Sequence, residues 1–223
     1  WGTRFVVPPT ANIAAGLSTS GAVTAWFRSV LECGPDTPSY AQLVGEARAV
    51  APGADGLVVL PYFSGERTPI QDPLARGLIA GLTLHHSRGH LYRALLEGTA
   101  FGFRHNLETL RDIGAPVTCA VAVGGGATSD LWPQIVADVS GMDQEIPSVT
   151  IGASLGDCLL AGIATGLATA DDVGTWNPVK KTLHADRTRT ATYDRLYEIY
   201  RSLYPATARQ MHALSDWSNG ARG

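Results

Sequence analysis

Gly124-Gly125-Gly126 close the apolar run Val117–Val123 and, after Ala127, lead to a polar triplet, Thr128-Ser129-Asp130, ahead of a helical stretch. Consecutive glycines let a main chain approach a ligand with no Cβ in the way. A helix starting there aims unpaired N–H groups and the positive end of its dipole at the same spot. The pattern suits a phosphate or a nucleotide ring. It is not a Walker A loop, because no Gly-Lys-Ser/Thr follows. It departs from a dinucleotide fingerprint as well: Gly124-x-Gly126 fits, but Ser129 stands at the third glycine position. The acids about 20 residues on, Asp143 and Glu145, open the next strand rather than end it. A glycine turn that merely lets a helix pack on a sheet is the plain alternative. Pro133 lacks an N–H and belongs in a first helical turn, which makes Ser129 or Asp130 the N-cap.

Other residues with chemical potential are less specific. Glu66-Arg67 lies in the long polar segment Phe63–Gly77 and has two readings, a cleft-facing pair or a salt bridge stiffening a surface loop. His85, His86 and His90 have no acid or cysteine at ligand spacing, so they read as surface or helix-cap residues. Glu97, inside a long helical stretch, reads as a structural hydrogen-bonding acid. Cys33, Cys119 and Cys158 form no CxxC and sit among apolar neighbours, so they read as buried thiols of a cytoplasmic protein.

The positioning elements follow from periodicity. Helices are expected over about 20–31, with Ala22, Val23, Trp26, Phe27 and Val30 on one face, and over Tyr40–Ala49. Further helices are expected over Leu91–Ile113, Leu131–Val139 (stopped by Gly141), Ser154–Leu167 and from Tyr193 onward. Gly98 and Gly102, four apart, would admit another backbone. The Tyr193, Leu196, Tyr197, Tyr200, Leu203, Tyr204 stripe is core packing rather than a cofactor box. Strands are expected at Leu57–Tyr62, Leu78–Leu84, Val117–Val123 and Gln144–Val149, and around Trp1, Phe5, Val6 and Val7 before Pro8-Pro9. Strand, helix, strand, helix over 117–167 makes the class α/β.

Bulk composition narrows the partners. The 223 residues are 45% hydrophobic and 17% charged with a net charge of −3, which suits a folded core and not disorder. No basic run exceeds Lys180-Lys181, which argues against nucleic acid. No apolar stretch reaches membrane-spanning length and no signal peptide opens the chain. Trp1-Gly2-Thr3 lacks an initiator Met and reads as a start inside a larger protein.

Four stretches, in order, resemble the FGGY carbohydrate kinases of the sugar kinase/Hsp70/actin superfamily. GGGATSDLWPQIVADVSG is similar to that family's adenosine-binding segment. LPYFSGERTPIQDPLARG resembles the loop of its xylulokinase- and gluconokinase-type members. Gly77 to Leu82, with His90-Leu91 and the run to Glu97, matches its second signature. GASLGDCLLAGIATG resembles the small-residue helix that meets the partner domain at the hinge. The resemblance implies a ribonuclease-H-like layered fold, with residues 1–223 forming the C-terminal, ATP-holding domain of a two-domain kinase. The N-terminal domain, absent from the chain, would hold the sugar, the catalytic Asp and the first phosphate loop, so no catalytic residue is assigned here. It further implies ATP with Mg²⁺, and transfer of the γ-phosphate to a sugar hydroxyl, a ketopentose such as xylulose for this subgroup. Gly125, Gly126 and Ala127 correspond to the Gly-Gly-Ala at the nucleotide. Gly21 corresponds to a glycine against the ATP phosphates; the Gln that follows it in glycerol kinases is Ala25 here. Asp130 stands where glycerol kinases carry an adenine-contacting Asn, and a carboxylate has no amide donor. A nucleotide-binding interaction domain without catalysis and a dinucleotide-dependent oxidoreductase are the competing functional classes. Oligomeric state is open, a homodimer included.

Overall fold

The computed structural model describes residues 2–4 and 11–220. The strand expected around Phe5, Val6 and Val7 lies outside the described residues. Two short strands, β1 (Gly2–Arg4) and β2 (Ala11–Ile13), pair antiparallel. Helices α1 (Gly21–Val30) and α2 (Tyr40–Ala49) follow. The second matches its expected bounds because its start is locally encoded. Ser39 and Gln42 form a reciprocal capping box that satisfies the first orphan N–H groups. In α1 the buried stripe is Val23, Thr24 and Phe27, while Trp26 and Val30, expected on the same face, are 39% and 62% exposed. The face is rotated because Trp26 lies instead against Phe63, with ring centroids 4.6 Å apart.

β3 (Val58–Leu60) and β4 (Leu78–Ala80) form a second antiparallel pair across the 63–77 loop. Against β3 runs α3 (Arg88–Asp112), the central helix, which buries residues all round its middle turns. A Cβ on Gly98 would stand 2.5 Å from the Val59 carbonyl oxygen, so the expected close backbone approach is real there. At Gly102 the close neighbour is a side chain: a Cβ would meet Leu17 Cδ2 at 2.7 Å.

The second half holds β5 (Ala120–Val121), α4 (Leu131–Ser140), β6 (Gln144–Pro147), α5 (Ala153–Thr165), the short α6 (Val173–Trp176) and β7 (Val179–Leu183). β5 pairs parallel with β6, and β6 antiparallel with β7, which makes a mixed sheet. The expected strand Val117–Val123 shrinks to two residues. Its apolar sequence fits a strand, but only those two find ladder partners, and Val117, Val121 and Val123 are exposed. Helix α7 (Thr190–Gly220) is the last element of the described residues. Its tyrosine stripe is core, as expected. Tyr193, Tyr197 and Tyr200 are buried around Phe101 of α3, and the Tyr62 hydroxyl donates to that of Tyr200 at 3.0 Å.

Glu97 is the structural acid the sequence suggested. It is 1% exposed, and its Oε1 accepts from Arg93 Nε (2.7 Å), Gly53 N–H (2.9 Å) and Tyr193 OH (3.0 Å). Burial pushes its carboxyl up, and Arg93 with the other donors pulls it back. The histidines act as local caps. His90 Nδ1 accepts from Ser87 N–H at the start of α3, and His86 Nδ1 from Thr83 N–H. The cysteines are a correction: all three are free and exposed. Cys158 is an exposed residue of α5, and Cys119 Sγ lies 3.7 Å from Glu145 Oε2. Apolar neighbours in sequence did not become neighbours in space.

Candidate nucleotide site

The glycine turn is a 3₁₀ turn, Gly125–Thr128, between β5 and α4. Its three glycines do not share one explanation. Gly124 has φ 83° and ψ −169°, a backbone conformation that L side chains avoid, so glycine is required for the chain path. A Cβ on Gly126 would press on the Trp132 ring at 3.1 Å, so glycine there serves packing. Gly125 has neither reason: its φ is not positive, and a Cβ would meet nothing within 4 Å. Chain path and packing therefore account for one glycine each and leave the middle one facing open space.

The start of α4 resolves the capping question. Ser129 has extended backbone angles and its Oγ accepts from Leu131 N–H at 3.3 Å, the work of an N-cap. Asp130 already has helical angles and makes no side-chain cap bond. Its carboxylate is instead bonded to Lys181 of β7, with about half of each side chain in water. Gly141, left-handed at φ 69°, ends the helix where expected.

Gly21 is the first residue of α1, and Ser20 before it makes no side-chain capping bond. A Cβ on Gly21 also meets nothing within 4 Å. At a helix start alanine is the better helix former, so the glycine has no local helical reason. Val23 N–H of this first turn donates to the Ser20 carbonyl (3.1 Å), which leaves the Gly21 and Ala22 amides for an anion.

The two helix starts, Gly21 and Leu131, lie 110 residues apart in sequence and are pinned to one helix. Trp132 of α4 donates its ring N–H to Thr99 Oγ1 at 2.9 Å. Leu17, shortly before α1, packs on Gly102. Positions 99 and 102 are three apart on α3, and residues so spaced share a helix face, about 5–6 Å apart. Helix α3 thus sets the glycine turn and the α1 start in fixed relation. Ala25, on the outer side of α1, is exposed and offers no polar group.

The acids of the dinucleotide alternative are engaged elsewhere. Asp143 accepts from Ala185 N–H (2.9 Å) and pairs with His184 (2.7 Å). Those two bonds hold its carboxyl below the ordinary range. A cavity of about 330 Å³ borders Asp130, Leu131, Gln134, Arg48 and Arg189. A larger one of about 400 Å³ lies at the far end of α4, around Ser140, Gly141, Arg104 and Asp194. The glycine turn and Gly21 line neither, and size does not select the site.

Glu66 is the residue sequence reasoning misjudged. It is neither a cleft-facing group nor a surface ion pair. Only 3% of it is exposed, and its Oε1 accepts from the backbone N–H groups of Ser18 and Arg67. No local pattern signals this, since its partner Ser18 lies 48 residues upstream.

Comparison with known proteins agrees with this geometry. Residues 3–165 match the family model described as the C-terminal domain of the FGGY family of carbohydrate kinases. A xylulose kinase of Bacillus subtilis is 29% identical over 198 residues, which is 88% of this chain and 38% of that protein. A gluconokinase of the same organism is 34% identical over 167 residues, 74% of this chain and 31% of that protein. The crystal structure of a xylulose kinase from Rhodospirillum rubrum superposes with a TM-score of 0.74 at 35% identity, covering 88% of this chain and 40% of that one. The chain thus spans about two fifths or less of the length of these relatives. The α/β class, the layered sugar kinase/Hsp70/actin fold and the family implied by the four sequence stretches all stand: the chain belongs to the FGGY family of carbohydrate kinases, whose C-terminal domain it matches.

Proposed function

We propose that this chain is the ATP-holding half of a cytoplasmic sugar kinase that phosphorylates a ketopentose such as xylulose. One observation carries the nucleotide reading. Gly21 and Gly125 have no packing or conformational reason to be glycine, both stand at turn or helix starts, and both starts are registered on one face of α3. A Cβ at either place would fill space that a ligand would use. In this reading Gly125, Gly126 and Ala127 lie along the adenosine, Asp130 borders it, and the first amides of α1 face the phosphates. Bound ATP would supply the transferable phosphoryl group. This chain's own work is positioning: it fixes the nucleotide on rigid helix starts, where phosphoryl transfer gains most from orientation. Among the described residues no group of three or more His, Cys, Asp or Glu could hold a metal ion. In this reading Mg²⁺ would accompany the phosphates of ATP. The sugar and the proton-accepting Asp belong to an N-terminal domain that would precede residue 1. The xylulose kinases among the relatives support the ketopentose, and three exposed free thiols fit a reducing compartment.

The test is a coupled kinase assay of the full-length gene product with pentuloses, gluconate and glycerol. The expected result is ATP-dependent turnover highest with xylulose, and none by residues 1–223 alone. Nucleotide binding without turnover on any sugar would leave an interaction domain, and tighter binding of NAD than of ADP would end the kinase reading. Gly125→Ala should lower nucleotide affinity about tenfold while leaving the melting temperature unchanged, since the added methyl meets no protein atom.

A further inference from the structure

The 63–77 loop carries a buried carboxyl that neither the glycine turn nor the hydrophobic core requires. Glu66 Oε1 takes two backbone N–H bonds, from Ser18 (2.9 Å) and Arg67 (2.7 Å). Its Oε2 is buried and, among the described residues, has no hydrogen-bond partner. Burial pushes the carboxyl up, and the two amides and the Arg67 charge pull it back. Keeping a half-satisfied carboxyl in the interior is costly, and a loop that only covers surface gains nothing from it.

What Glu66 holds is the segment 14–20 that runs into α1. The same segment is tied to the loop twice more. Gly16 N–H donates to Thr68 Oγ1 (2.6 Å), and Thr68 N–H donates to the Gly16 carbonyl (3.2 Å). Thr19, 4% exposed, donates its hydroxyl to the Pro61 carbonyl at the end of β3. The far side of the loop is anchored as well. Glu66 and Asp72 exchange backbone bonds at 2.8 and 2.9 Å. The Asp72 carboxylate accepts from Tyr204 OH (2.8 Å) and pairs with His212 (2.7 Å) on α7. A continuous path of bonds thus runs from α7 through Asp72 and Glu66 to Ser18, which lies two residues before the uncapped Ser20.

We propose that Glu66 is a positioning residue for the phosphate end of the nucleotide: by holding the Ser18 N–H, it sets where the first amides of α1 point. The proposal rests on the nucleotide reading above and adds the element that aims it. Glu66 touches no ligand itself. The glycine turn would hold the adenosine whatever Glu66 does, so the two ends of the nucleotide respond differently to the loop.

The test compares ATP, ADP and adenosine by titration calorimetry on the full-length protein and on Glu66→Ala, Glu66→Gln and Thr68→Val. Glu66→Ala and Thr68→Val should each weaken ATP and ADP about tenfold and leave adenosine within about twofold. Glu66→Gln keeps an oxygen acceptor for Ser18 and should recover most of the loss. Thr68→Val preserves volume and removes only the hydroxyl, so it decides the matter even where Glu66→Ala does not fold. Equal weakening of ATP and adenosine, or no change in either, overturns the positioning role while the nucleotide reading survives. Absence of all nucleotide binding by the unsubstituted protein overturns both.

Discussion

Helices α3 and α5 both carry glycines, yet the charge-bearing α3 is the core and the apolar α5 is largely surface. Thirteen of the 25 residues of α3 are buried, including Arg93 and Glu97, whereas α5 buries only Leu159. On α3, Gly98 faces the Val59 backbone, Gly102 faces Leu17 and Gly89 the Glu46 carbonyl; on α5, a Cβ at Gly156 would meet nothing within 4 Å. The surroundings of α5 are exposed too, with Ile151 at 71%, Leu167 at 88% and Trp176 at 40%. Apolar composition and small residues do not by themselves decide burial; what the rest of the chain brings to each helix face does. The half around α3 carries the stability of the described residues. The half around β5, α4 and α5 carries the turn that would meet the nucleotide.

The largest expected effect tests the α3 side. Glu97→Ala strands the Arg93 guanidinium, whose side chain is 4% exposed, and should cost about 3–5 kcal/mol in urea unfolding. A loss below about 1 kcal/mol would mean that the central helix is not the stability centre. A matched pair of glycines comes next. Gly98→Ala forces a methyl into the Val59 carbonyl and should destabilise by about 1–3 kcal/mol. Gly156→Ala has room and should gain about 0.5–1 kcal/mol from helix propensity. Changes of the same sign at both positions would erase the contrast between the helices.

The smallest effect is a pH dependence. Burial, helped by the Arg201 charge, lowers the His105 pKa from 6.5 to about 4. The unfolded chain therefore binds more protons between those values, so His105 contributes stability that is fully present above pH 6.5. That contribution is lost as the pH falls toward 4. Comparing unfolding of wild type and His105→Gln across this window should show about 1 kcal/mol of extra acid sensitivity in the wild type, after allowance for solvent screening. Parallel pH profiles would show that the imidazole is hydrated in the native state.

Much of the fold was legible because its signals are local. Ser39 with Gln42 fixed the start of α2, Gly141 fixed the end of α4, and the tyrosine spacing of α7 named its buried face. Each is a property of residues within one or two turns. The order of four family-like stretches, and the glycines at Gly21 and Gly125, were likewise readable as text. Tertiary structure decided the rest. It shortened Val117–Val123 to the two residues that find a partner strand, turned the three cysteines outward and split the roles of Ser129 and Asp130. Above all it took Glu66, which reads as a loop charge, and buried it on an amide 48 residues away. The physical reason is the same in each case. Helix caps and periodicity are set by hydrogen bonds between near neighbours, whereas burial, strand pairing and the partners of a carboxylate depend on segments that only folding brings together.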